Sequence, residues 1–465
     1  MASNTEAPKS NTEKITQDRV DYVLRLFKQN STDLFVRSIL SNDRKRFETG
    51  HITEHEVERA IINFDSHIIT PEGEKTSLIT QRQTNKDIDP GFQNPSEVQP
   101  GQLLELETEI PRFLASVAKT ALMRAYFEDF GTDDVQVDFR VIKELLGYDG
   151  ASGRSPMRMF GGDNGFKVIS PTYINALNTL YDFATIKRNQ HIILAIQNLL
   201  NGNFNASNRE LILSFIRILS DDDAKQIQFK MDAREFRDLT LDLSCNSTST
   251  IAREHIQQRM AGSNENTFEE YKRRMDELIP GYVPLLTLEG GHHWIQPDGN
   301  TGPISGFTEM MHGISTGNLH RDPGSIILFE SLQSNIDFGH TFRQSSLGKA
   351  LISQGWLVPE KTGYLQLVMN SSYLAKEGMP PHMTLSTVFS VISPEGKVYS
   401  FGFNMSIEMA LPWTEKQYYS IDFPNDENAE YKKYYNEVFS YASKIFRQRC
   451  ETEVKKVIGS EFREN

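Results

Sequence analysis

Cysteine is nearly absent from this chain: among 465 residues there are only Cys245 and Cys450, far apart in sequence. Two such residues exclude a disulfide framework and point to a reducing, cytoplasmic compartment. Long apolar runs are missing too. No stretch approaches the roughly 18 apolar residues of a transmembrane helix, so no membrane span is expected. The N-terminus is polar from Met1 to Arg19 and lacks the apolar core of a secretory signal, although a non-classical export route stays open. Basic residues are in the minority, 49 Lys and Arg against 62 Asp and Glu, for a net charge of -13. A diffuse negative surface favours solubility and repels nucleic acid, which is not an expected partner.

Apolar material for real cores is present, with 38% hydrophobic residues, 28 Phe and 16 Tyr. Residues 1–15 read as a disordered tail, and residues 16–280 as a mostly helical array. Within it, Thr53 and Glu56 have capping-box spacing ahead of Val57, Ile61 and Ile62, which places a helix start near residue 53. Residues 71–101, rich in Gln, Asn, Asp, Pro and Gly, read as a linker or long loop. A helical pattern resumes over 102–129, interrupted by Pro111.

The pattern changes at Tyr282. Short apolar runs (YVPLLTL, GSIILFE, GYLQLVM, LSTVFSVI, KVYSFGF) are bounded by turn residues and enriched in β-branched and aromatic side chains, which predicts strands. LSTVFSVI and KVYSFGF flank a Pro–Glu–Gly turn and form the clearest hairpin signal. A helix follows at about 430–447, then a short amphipathic segment starting at Cys450. The expected class is α+β: an N-terminal helical array, then residues 281–465 as an antiparallel sheet domain with a closing helix.

Six of the eleven histidines lie between His292 and His382. His292, His293, His312, His320 and His340, with Glu309, Asp322 and Asp337 nearby, are of metal-ligand type, but no two of these five histidines have His-x-His or His-x3-His spacing. No metal and no cofactor is therefore assigned. The glycine-rich loop 148–165 carries Arg154 and Arg158, which could hold an anionic group, and it matches neither named phosphate-binding motif. Trp294, like Trp356 and Trp413 in the same C-terminal domain, is a candidate for lining a pocket with the histidines.

His382 at the head of the hairpin, followed by VFSVISPEGKVYSFGF, and Cys450 at the head of ETEVKKVIG form a histidine-then-cysteine order. Over about residues 380–460 this resembles the circularly permuted papain-like proteins of the NlpC/P60 and lecithin:retinol acyltransferase group. The resemblance implies thiol chemistry, with Cys450 as nucleophile and His382 as base; His340, in a Gly–His–Thr–Phe stretch, competes for the base role. The expected function is a thiol-dependent hydrolase or acyltransferase on an amide or ester, of bacterial-effector type, its helical part recognising a protein or peptide partner. The alternatives are histidine- and carboxylate-based phosphoryl or nucleotidyl chemistry, with or without metal, and a non-catalytic interaction module.

Overall fold

The computed structural model describes residues 53–82, 103–109, 111–145, 171–201, 206–219, 223, 226–242, 244, 246–261, 267–284, 301–333, 341–366, 382–408, 429–459 and 462. In chain order the elements begin with α1 (Glu54–Arg59), β1 (Ile61–Ile69), β2 (Lys75–Arg82), β3 (Leu103–Leu106) and β4 (Arg112–Phe113). A 3-10 turn (Ala115–Ala118) then leads into α2 (Lys119–Phe130). There follow β5 (Val135–Asp138), α3 (Phe139–Leu145), α4 (Pro171–Ile186), α5 (Gln190–Leu200), α6 (Ala206–Arg217) and β6 (Gln228–Met231). Next come α7 (Ala233–Leu241), α8 (Asn246–Ala261), α9 (Thr267–Leu278), β7 (Thr301–Gly302), α10 (Ile304–Leu319) and α11 (Pro323–Leu332). The chain continues with α12 (Ser346–Ser353), β8 (Glu360–Gln366), β9 (His382–Ile392), β10 (Val398–Glu408) and α13 (Ala429–Ile458).

The architecture is mixed α/β and divides into two compact units. The first comprises 1–121, 272–325 and 337–465, and the second 122–271 and 326–336. The first unit is built on a six-stranded antiparallel sheet in the order β3-β2-β1-β10-β9-β8. Strands from both ends of the sequence therefore lie side by side at its centre, where β1 pairs with β10 from Ile69↔Ser400 to Ile61↔Ile407.

Side chains alternate across these strands with period two. On one face Phe64, Phe389, Phe401, Phe403 and Met405 pack with Phe342, Trp356 and the α13 residues Phe446, Cys450 and Val454. Phe389 stacks on Phe342 with ring centroids 4.3 Å apart and planes 7° from parallel. The other face carries Asn63, Asp65, His67, Thr384, Ser386, Ser390, Ser400, Gly402, Asn404 and Ser406, and its polar side chains are equally buried.

The helical unit packs α4, α5 and α6 through Leu177, Leu180, Ile192, Ile196, Leu199, Ile212 and Ile216, all buried at helical spacing. Its short pair β5–β6 runs from Val135↔Met231 to Asp138↔Gln228. Arg140 is held between Asp138 (2.6 Å) and Glu254 (2.7 Å).

Several sequence expectations need correction. The capping box at Thr53 and Glu56 is present, but α1 lasts six residues and the chain turns into β1 at Ile61. Residues 75–82 and 103–106, read as linker and helix, are β2 and β3. The cause is burial on both faces: in IINFDSHII the polar residues Asn63, Asp65 and His67 face protein instead of water, so no amphipathic signal survives. The run GSIILFE, read as a strand, lies in α11, since a short apolar run does not distinguish a buried strand from a buried helix. The expected hairpin is present as β9 and β10.

Candidate active site

The first unit places one serine in an unusual local geometry. β4 pairs with β7, Phe113 opposite Thr301 and Arg112 opposite Gly302. Beyond it the chain cannot continue as a strand, because Ala115 has φ 48°, in the left-handed region. For an alanine this costs on the order of 1–2 kcal/mol, and such strain persists only where the surroundings impose it. The next residue is Ser116, half-buried at the start of the 3-10 turn, with Lys119 buried three residues on at the head of α2.

Three sets of contacts impose the turn. The Leu114 carbonyl accepts the Val117 N–H at 3.1 Å and the Ser386 hydroxyl at 2.7 Å. The Phe113 carbonyl accepts the Asn404 amide at 2.8 Å, and Asn404 Oδ1 in turn accepts from Asn63 Nδ2 at 3.0 Å. Arg112 is buried against Asp65, with Nε to Oδ2 at 2.5 Å, and also donates to Gln81 Oε1 and the Thr80 carbonyl, both at 2.8 Å. Burial pushes the Asp65 carboxyl above its usual range, and the Arg112 guanidinium opposes that push.

Across from the turn runs the edge strand β8, with the sequence Glu360-Lys361-Thr362-Gly363-Tyr364. Gly363 is required there. A Cβ would collide with the Leu114 carbonyl oxygen, and it would stand 2.5 Å from Ser386 Oγ and 2.9 Å from the Val117 nitrogen. Lys361 shares the Gly363 face of the strand by the two-residue alternation, and it is fully buried. Glu360 points to the opposite face, where its carboxylate accepts the Phe342 N–H (2.8 Å), the Arg343 N–H (3.1 Å) and the Thr387 hydroxyl (2.7 Å). Burial raises its proton affinity, and these donors oppose the rise.

The residues so assembled spell Ser-x-x-Lys (Ser116 to Lys119) and Lys-Thr-Gly (Lys361 to Gly363). In active-site serine enzymes of the class A β-lactamase and penicillin-binding type, these two motifs occur with a Ser-x-Asn tripeptide between them. Ser244-Cys245-Asn246 has that form and that place in the sequence; it belongs to the helical unit, where Ser244 has φ 57° and Asn246 begins α8. Sequence reading missed all three. Each short motif is common by chance, and only the ordered set carries information.

Cys450 does not stand where the expected thiol mechanism needs it. Cys450 does not start a helix but lies deep within the continuous α13, 1% exposed in the apolar core. Burial, and then the negative charge of Glu360, push its thiol well above the usual range, the opposite of what a nucleophile needs. His382 is the first residue of β9, its backbone opposite Glu408. His340, Trp294, Arg154, Arg158, His292, His293 and Cys245 lie outside the described residues. His312 sits on α10 and meets Ser400 Oγ at 3.1 Å, while His320 caps the end of that helix. Among the described residues no three His, Cys, Asp or Glu side chains converge as a metal site, and no helix is long and apolar enough to cross a membrane.

No family profile and no curated protein matches the chain. Solved structures similar to it include a β-lactamase from Chitinophaga pinensis, at 12% identity and TM-score 0.39, covering 86% of this chain and 99% of that one. A β-lactamase from Francisella tularensis is similar at 11% identity and TM-score 0.38, covering 89% and 99%. A class A β-lactamase representative from Bacteroides cellulosilyticus is similar at 12% and 0.39, covering 88% and 98%. These similar structures are β-lactamases and not papain-like proteins, and likenesses this distant carry no function across. The burial of Cys450 within a continuous helix overturns the NlpC/P60 resemblance and the thiol mechanism implied by it.

Proposed function

We propose that this chain is a serine-dependent acyl-transfer enzyme that opens an amide bond, with the β-lactam amide as the substrate class to which its motifs point. The observation that carries this reading is the strained turn at Ala115, which presents Ser116 beside the Lys-Thr-Gly strand. In the proposed reaction the Ser116 hydroxyl gives its proton to a base and attacks the carbonyl carbon. Lys119, one helical turn on, is the candidate base. The carbonyl oxygen becomes an oxyanion, for which a first-turn backbone N–H such as that of Ser116 is a suitable donor. Collapse breaks the C–N bond, the amine takes up a proton, and an acyl ester remains on Ser116. Water then cleaves the ester to a carboxylic acid and restores the serine. Lys361 supplies positive charge that suits a substrate bearing a carboxylate.

Intact-protein mass spectrometry after mixing with a penicillin tests the proposal. The full chain should gain one penicillin mass, located on Ser116 by peptide mapping. Ser116→Ala should gain none, and Cys450→Ser should react as the natural chain does. A folded chain that takes up neither a penicillin nor a fluorophosphonate at Ser116 would sink the reading.

A further inference from the structure

We propose that Ser386 is a positioning residue for Ser116, acting through the carbonyl of Leu114. The inference rests on the reading of Ser116 as nucleophile. Ser386 lies on β9 directly opposite Gly363 of the Lys-Thr-Gly strand and is completely buried. Its hydroxyl donates to the Leu114 oxygen at 2.7 Å. That oxygen also accepts the Val117 N–H, the bond that closes the turn containing Ser116. One carbonyl thus joins the closing bond of the nucleophile's turn to the strand that neighbours β8.

The arrangement has a mechanical consequence. The left-handed Ala115 is a locally unfavourable conformation, and the peptide group before it needs an external anchor. Asn404 holds the Phe113 carbonyl, but that bond is one peptide further from the serine. Without the Ser386 hydroxyl the Leu114 carbonyl keeps only the Val117 N–H, a bond within the turn itself, and the peptide that carries Ser116 loses its tie to β9. A displacement of about 1 Å at a reacting atom is enough to slow chemistry by about 100-fold. Ser386 touches no substrate in this scheme; it determines where the nucleophile stands.

A matched control lies four residues along the same strand. Ser390 is equally buried on the same face, but its hydroxyl bonds Ser400 and Ser315, both at 2.8 Å, and does not touch the turn.

The test is the rate of covalent modification of the full chain by a fluorophosphonate, resolved into the binding constant KI and the limiting rate kinact, beside the thermal midpoint. In Ser386→Ala, kinact should fall about 10- to 100-fold while KI stays within about threefold. Ser390→Ala should lose comparable thermal stability and keep the natural kinact. Ser386→Cys keeps the side-chain shape with a weaker donor on a somewhat larger atom, so it should fall between the two; it serves if Ser386→Ala is not recovered folded. Equal slowing in Ser386→Ala and Ser390→Ala would reduce Ser386 to a general packing role. A folded Ser386→Ala or Ser386→Cys with natural kinact would overturn the proposal while leaving Ser116 as nucleophile. A natural chain that is never modified would overturn both.

Discussion

The two faces of the central sheet are equally buried and chemically opposite. Towards α13 the strands present Phe64, Phe389, Phe401 and Phe403, with Phe342 stacked on Phe389 and Phe446 edge-on to Phe64. On the other face the same strands present Asn63, Asp65, Ser386, Ser390, Ser400 and Asn404, each with a hydrogen-bond partner. The apolar face is non-directional and tolerates small shifts. The polar face is directional, since buried donors and acceptors must be paired at defined distances, and it therefore fixes coordinates rather than merely adding stability. The strained turn that carries Ser116 is docked on the polar face.

If that division holds, substitutions on the two faces should separate activity from stability. The largest effect on activity is expected from Gly363→Ala. Its new methyl group collides with the backbone of the serine turn, so acylation should fall by more than about 100-fold in a chain with a natural circular dichroism spectrum. A near-natural rate would mean that the turn does not rest on β8.

Next, Phe389→Ala should cost about 3–5 kcal/mol in urea denaturation, the usual loss for a deleted core aromatic, with the folded fraction still reacting at close to the natural rate. Inactivity of the folded fraction would show that the apolar face also sets the site.

The smallest effect concerns acid. His67 and His312 lie where α10 covers the polar face, near Lys75 of β2 and Glu309 of α10. Burial lowers the proton affinity of both rings, with Lys75 adding to this and Glu309 opposing it. In the unfolded chain they titrate near the ordinary value of about 6.5, so the unfolded state binds protons first as pH falls. Their contribution is therefore complete above that value and is lost as pH drops below it. The thermal midpoint of the natural chain should fall more steeply between pH 7.5 and 5 than that of His67→Gln. Identical slopes would remove the histidines from the account.

What was legible in the sequence was local. The Thr53–Glu56 capping box depends on residues three apart, and the β9–β10 hairpin on two strands joined by one turn. β1 was not legible, because its alternation of Asn63, Asp65 and His67 with Phe64 and Ile68 makes sense only when both faces are covered. Cys450 was misread for a related reason. The amphipathic segment from Cys450 to Ile458 reads as a separate short helix, whereas a single helix runs through it from Ala429 and buries the thiol. The histidine-rich stretch pointed to chemistry that the described residues do not assemble; His312 serves packing and hydrogen bonding at the sheet.

By itself, then, the sequence determined the local elements and contained the chemical groups: Ser116 three residues before Lys119, and Lys361 two residues before Gly363. Only the tertiary structure decided that these two segments meet. Their meeting depends on β1 pairing with β10 across more than three hundred residues, and on Ser386 and Asn404 reaching back to carbonyls of the turn. No local pattern encodes such contacts, because a buried serine or asparagine has the same sequence signature as one in a solvent-exposed turn.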